Sequence, residues 1–100
     1  MALDKQQGST RGTTSVTFRI PAQAGASKAQ LVGDFNDWTP TDMQLAEDGG
    51  YVISLELAPG RSYRFRYLLD DRRWENDWQA DRYVPNEFGG DDSVIDLTTT

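Results

Sequence analysis

The sequence predicts a small all-β domain, an antiparallel immunoglobulin-like β-sandwich of six or seven strands. Three observations predict it. Short runs alternate apolar and polar residues with period two, turn-forming Gly, Pro, Asn and Asp separate them at regular spacing, and no helix of convincing length is readable anywhere in the 100 residues. That length is room for one domain, on a prior of roughly 100 to 200 residues each.

The elements follow in order. Residues 1–13 are rich in Gln, Gly, Ser and Thr without periodicity, which predicts a disordered leader outside the fold. From Ser15 the pattern alternates, with Val16, Phe18 and Ile20 on one face and Thr17 and Arg19 on the other, until Pro21 stops it. A loop over 22–27 leads to a second strand over 29–35, in which Gly33 marks a bulge or a close approach of backbone. A polar turn covers 36–42. In the next strand Tyr51, Ile53, Leu55 and Leu57 share one face, between the turns Asp48-Gly49-Gly50 and Ala58-Pro59-Gly60. Tyr63, Phe65, Tyr67 and Leu69 then share a face against Arg64, Arg66 and Leu68, so the two runs predict a hairpin through the Pro-Gly turn. A short piece over 73–76, a long aromatic-bearing loop to Gly90 and a last strand over 93–97 complete a domain spanning 14–97, with a tail at 98–100.

Composition narrows the function classes. There is no Cys and no His, so disulfides, thiolate metal sites, cysteine nucleophiles and the commonest zinc ligand and general base are excluded. Ten basic against 16 acidic residues give a net charge of -6, without the basic footprint of a nucleic-acid binder. The excess is local: residues 1–69 carry 7 acidic and 7 basic groups, and residues 70–96 carry 9 and 3. No apolar run suits a membrane span or a signal peptide, which makes a cytoplasmic protein without membrane contact the expectation. No cofactor is expected. Asp70, Asp71, Glu75, Asp77, Asp91 and Asp92 could gather oxygen ligands for calcium, yet no loop has EF-hand spacing.

The three tryptophans carry the functional signal, because none falls on an alternating inward face. Trp38 lies in a polar turn beside Asn36, itself a candidate sugar contact, and Trp74 and Trp78 lie in Arg73-Trp74-Glu75-Asn76-Asp77-Trp78. A flat ring packs against the apolar C–H face of a sugar while Asn, Asp, Gln or Arg groups at its rim hydrogen-bond the hydroxyls. Loop tryptophans can equally cap the open end of a sandwich, Trp78 above all. Arg64 and Arg66 share one strand face, as expected of a solvated surface paired with carboxylates.

Leu31-Val32-Gly33-Asp34-Phe35-Asn36-Asp37-Trp38, then Pro59-Gly60, then Tyr63-Arg64-Phe65-Arg66-Tyr67, then Trp74 and Asp77 occur in this order. The set resembles family 48 carbohydrate-binding modules, which include the glycogen-binding domain of the AMP-activated protein kinase β subunit and the early-set N-terminal domains of isoamylases and branching enzymes. The resemblance spans about residues 15–97. It implies an early-set sandwich that binds α-1,4-linked glucan, glycogen or starch-like, without catalysis. The implied contacts are Trp38, Trp74 and Arg66, with Arg64 the alternative basic residue, an apolar side chain at Phe88, and Asp92 where the family carries asparagine. The chain is too short for the catalytic barrel of its enzymatic relatives. Two further roles stay open: a protein-interaction or regulatory domain whose acidic C-terminal third docks a basic partner, and an accessory domain of a family 13 glycoside hydrolase or branching system. Trp78 stands where the family has proline. It either extends the sugar platform or packs under Tyr83 and Phe88.

Overall fold

A computed structural model describes residues 2–7 and 12–98. It is all-β: two antiparallel sheets pack as a sandwich, and among the described residues the only helical pieces are single 3₁₀ turns at Ala22–Ala24 and Asp34–Asn36. The first sheet contains β1 (Ala2–Gln7), β2 (Thr14–Ile20), β5 (Gln44–Leu45) and β6 (Tyr51–Leu57), in the spatial order β1-β2-β6-β5. The second contains β3 (Ala29–Gly33), β4 (Thr41–Asp42), β7 (Ser62–Leu69), β9 (Arg82–Pro85) and β10 (Asp91–Asp96), in the order β4-β3-β7-β10-β9. β8 (Arg73–Glu75) pairs with the far half of β7.

The inward faces of β2, β6 and β7 are the apolar ones that their alternation marks. Val16, Phe18 and Ile20 of β2 meet Phe65, Tyr67 and Leu69 of β7 in a core that also takes Leu31, Ile95 and Leu97. The Phe18 and Phe65 rings meet edge to face, 5.2 Å apart between centroids. This is the geometry that aromatic quadrupoles favour.

Three expectations from the sequence are corrected. The expected leader contributes a strand: Ala2–Gln7 pairs residue for residue with β2, from Ala2 opposite Arg19 to Gln7 opposite Thr14. An edge strand needs only a backbone ladder on one side, so it leaves no strong hydrophobic alternation. Lys5 secures it, donating from Nζ to Asp81 Oδ2 at 2.6 Å and to the Asp96 carbonyl at 3.2 Å across the edge of the sandwich. The remainder of the expected leader before Gly12 lies outside the described residues.

The predicted hairpin of β6 and β7 does not exist. β6 pairs with β2 and β5 in one sheet, and β7 pairs with β3, β8 and β10 in the other. The Pro-Gly connection is an arch between sheets. It is fixed by Gly60 N–H donating to the Leu97 carbonyl, Leu97 N–H donating to the Arg61 carbonyl, and the Tyr63 hydroxyl donating to the Ala58 carbonyl.

The long loop toward Gly90 is interrupted by β9, which pairs with β10 from Arg82 opposite Val94 to Pro85 opposite Asp91. Of the expected tail, Thr98 hydrogen-bonds Asp96, and residues 99–100 lie outside the described residues. Among the described residues no helix is long and apolar enough to cross a membrane.

Candidate functional site

The outer face of the second sheet carries the site. With Phe65 and Tyr67 turned inward, Arg64 and Arg66 project outward from β7. On β10 the same parity turns Ser93 and Ile95 in and Asp92 out, with Ser93 opposite Phe65. Trp38, Trp74 and the segment from Pro85 to Phe88 surround these side chains, leaving a groove of about 770 Å³.

Trp38 is held there by a strained turn. Asp37 and Trp38 are consecutive left-handed residues, with φ of 54° and 57°, a conformation that costs of order 1–2 kcal/mol for a side chain with a Cβ. Hydrogen bonds hold it. Trp38 N–H donates to the Gly33 carbonyl at 2.9 Å, Thr39 N–H to the Asn36 carbonyl at 3.0 Å, and the indole Nε1–H to Asp34 Oδ1 at 2.9 Å. The other Asp34 oxygen accepts Arg64 N–H at 2.8 Å, where the β3 ladder ends, so Asp34 couples Trp38 to the floor strand. Gly33 is the close approach foreseen in the sequence. A Cβ there would lie 2.6 Å from the Arg64 carbonyl oxygen and 2.8 Å from Phe65 Cβ.

Trp74 enters from β8, opposite Leu68. The Arg66 guanidinium lies over its ring, 5.5 Å from the centroid, a cation–π arrangement that orients the indole. Arg66 Nε is buried and has no hydrogen-bond partner among the described residues. Trp38 and Trp74 are 36% and 44% exposed, and Phe88, on the β9–β10 connection, is 88% exposed.

The structure therefore brings Trp38, Trp74, Arg66, Phe88 and Asp92 to one groove, and Arg64, the alternative basic residue, joins them. Asn36 is corrected. It is not part of the lining, because its side chain is used within its own turn: Oδ1 accepts Gly33 N–H, and Nδ2 donates to the Leu31 carbonyl and Thr41 Oγ1. It shapes the turn that presents Trp38.

Trp78 is also corrected as a plug. It is 67% exposed and stands outside the groove lining. The plug at that end is polar: fully buried Asp77 accepts the Tyr67 hydroxyl at 2.7 Å and Gln79 N–H at 2.8 Å, its own N–H donates to Ser93 Oγ, and its carbonyl accepts the Tyr83 hydroxyl. Among the described residues no group of three or more carboxylates is arranged to hold a metal ion.

Sequence reasoning passed over Asn86. Its amide lines the groove and organises the connection that carries Phe88. The signal was present in Asn86-Glu87-Phe88-Gly89-Gly90, where an Asn ahead of paired glycines marks a side chain that bonds the following backbone. In comparison with known proteins, the chain matches no family model and no curated protein.

Proposed function

We propose that the groove binds a neutral α-1,4-linked glucan chain and performs no chemistry on it. The observation that carries this reading is the convergence of Trp38 and Trp74, 36 positions apart in sequence, on one groove with exposed faces. Around them Arg64, Arg66 and Asp92 offer hydrogen-bond donors and an acceptor suited to hydroxyls. The family resemblance of the sequence supports α-1,4-linked glucose as the sugar. A module of this kind carries itself or an attached partner to glycogen or starch-like chains.

A few aromatic contacts, each contributing about 0.5–1.5 kcal/mol beyond area burial, give weak affinity, of order 0.1–1 mM. Because the ligand is uncharged, raising the salt concentration leaves binding almost unchanged. Titrating tryptophan fluorescence with maltoheptaose tests the reading, with Trp38→Ala and Trp74→Ala expected to abolish the response. An equal response to cellulose oligomers, or none to maltoheptaose, overturns it. Docking of a basic protein on the acidic C-terminal third has less support, since Asp77, Asp81 and Asp96 are occupied by partners within the domain.

A further inference from the structure

We propose that Asn86 is a positioning residue for this groove: paired with Asp92, it locks the β9–β10 connection in the form that presents Phe88. The proposal rests on the reading of the groove as a glucan site. Phe88 is almost fully in solvent, and Gly89 next to it has φ of 89°. Packing does not fix such a ring, so its position depends on the backbone beneath it.

One side chain supplies that constraint. Asn86 Oδ1 accepts Phe88 N–H at 2.9 Å and Gly90 N–H at 3.2 Å, while Asn86 N–H donates to the Gly90 carbonyl at 2.8 Å. With Oδ1 taking two donors, Nδ2 is the remaining polar atom, and it donates to Asp92 Oδ1 at 3.2 Å. Asp92 is 5% exposed and comes from the strand that follows the connection, so the pair closes it from both ends.

The pair also accounts for the aspartate that a neutral ligand leaves unexplained. The amide orientation at 86 is set by two backbone donors, which makes Nδ2 an obligatory donor toward 92. A carboxylate there is an acceptor in either orientation, whereas an amide satisfies the contact in only one.

Exchanging the two groups tests the lock. Asn86→Asp places two carboxylates at the 3.2 Å contact. At pH 7 it should weaken maltoheptaose binding about tenfold. The double variant Asn86→Asp/Asp92→Asn restores one donor and one acceptor with the direction reversed, and should bind within about threefold of the original protein.

Hydrogen exchange at the Phe88 and Gly90 amides should follow the same order: slow, fast in the single variant, slow again in the double. If the original protein binds glucan and Asn86→Asp binds equally well, or the double variant stays as weak as the single one, the lock is overturned. If the original protein binds no glucan, the reading of the groove fails and exchange alone decides. Protection lost in Asn86→Asp and regained in the double variant then supports the lock, and unchanged protection overturns it.

Discussion

Replacing Tyr67 by Phe removes one oxygen atom from the interior, and the surroundings of that atom set the cost. Tyr67 is fully buried, and its hydroxyl donates to Asp77 Oδ2 at 2.7 Å. Asp77 is fully buried as well, and its other oxygen is engaged by Gln79 N–H. The substitution leaves half a buried carboxylate without a donor where water does not reach. A hydrogen bond to a charged group contributes about 1.5–3 kcal/mol, and little of it is recovered here. Urea denaturation at pH 7 should show a loss of about 2–3 kcal/mol. For a domain of this size that lowers Tm by roughly 10–20 °C.

The pH dependence supplies a second readout. Burial, then the Asp77 charge, then the hydrogen bond to it, raise the Tyr67 hydroxyl well above its ordinary pKa of 10.0. A group that holds its proton more tightly when folded stabilises the fold fully below its unfolded pKa and loses that contribution as pH rises above it. The gap between the original protein and Tyr67→Phe should therefore narrow above pH 10, by at most about 1.4 kcal/mol per pH unit. A loss under about 0.5 kcal/mol at pH 7, or a gap that stays constant through pH 11, would refute the reasoning.

Three other outcomes are expected. Gly33→Ala forces a Cβ into the Arg64 carbonyl, which should cost about 1–3 kcal/mol in chemical denaturation and blue-shift or red-shift the Trp38 emission, because that turn hangs on the Gly33 carbonyl. Asp92→Asn keeps an oxygen for Asn86 and adds an amide donor facing the groove, so calorimetry with maltoheptaose should show severalfold tighter binding, of order 1 kcal/mol. The Asp96 carboxyl is held far below its usual pKa of 3.8 by Thr98 hydrogen bonds and then by Arg82. Its contribution is present above that value and lost as pH falls below it, so thermal melts of Asp96→Asn should decline less steeply between pH 4 and pH 2.

The sandwich was legible where strands bury a full face. In β2 and β7 the alternation of Val16, Phe18, Ile20 and of Tyr63, Phe65, Tyr67, Leu69 fixes which side meets the core, because a one-residue slip would expose all of them. β1 left little such trace, since its partner strand and Lys5 hold it instead of an apolar face. The arch between β6 and β7 departs from the expected hairpin because Ala58-Pro59-Gly60 serves equally for a hairpin and for a crossing between sheets. What distinguishes them is distant, in the pairing of Gly60 and Arg61 with Leu97. The groove was legible in Trp38, Trp74 and Arg66 through the family resemblance. Asn36 and Asn86 show the limit: both are turn-region amides next to an aromatic segment, and only the direction of their hydrogen bonds shows that neither amide is free for ligand.

At least six of the nine acidic residues in the C-terminal third have structural partners within the domain. Asp70 Oδ1 accepts Ser27 and Lys28 N–H, Asp71 pairs with Lys28, and Asp81 takes Lys5 together with Asp96 N–H. Asp77 and Asp92 are buried acceptors, and Asp96 holds Arg82 and Thr98. Asp70 and Asp71 also occupy left-handed positions, with φ of 55° and 61°, which aspartate tolerates better than most residues. These carboxylates terminate strands and satisfy backbone donors at turns in a domain without disulfides, where about 100 residues bury only some 60–70% of the unfolded surface. Their charge is thus tied to stability. The Asp96 carboxyl, held far below its usual pKa of 3.8, sets where acid acts: as pH falls below that value, any loss of maltoheptaose binding should track the loss of the folded baseline, with affinity per folded molecule nearly constant.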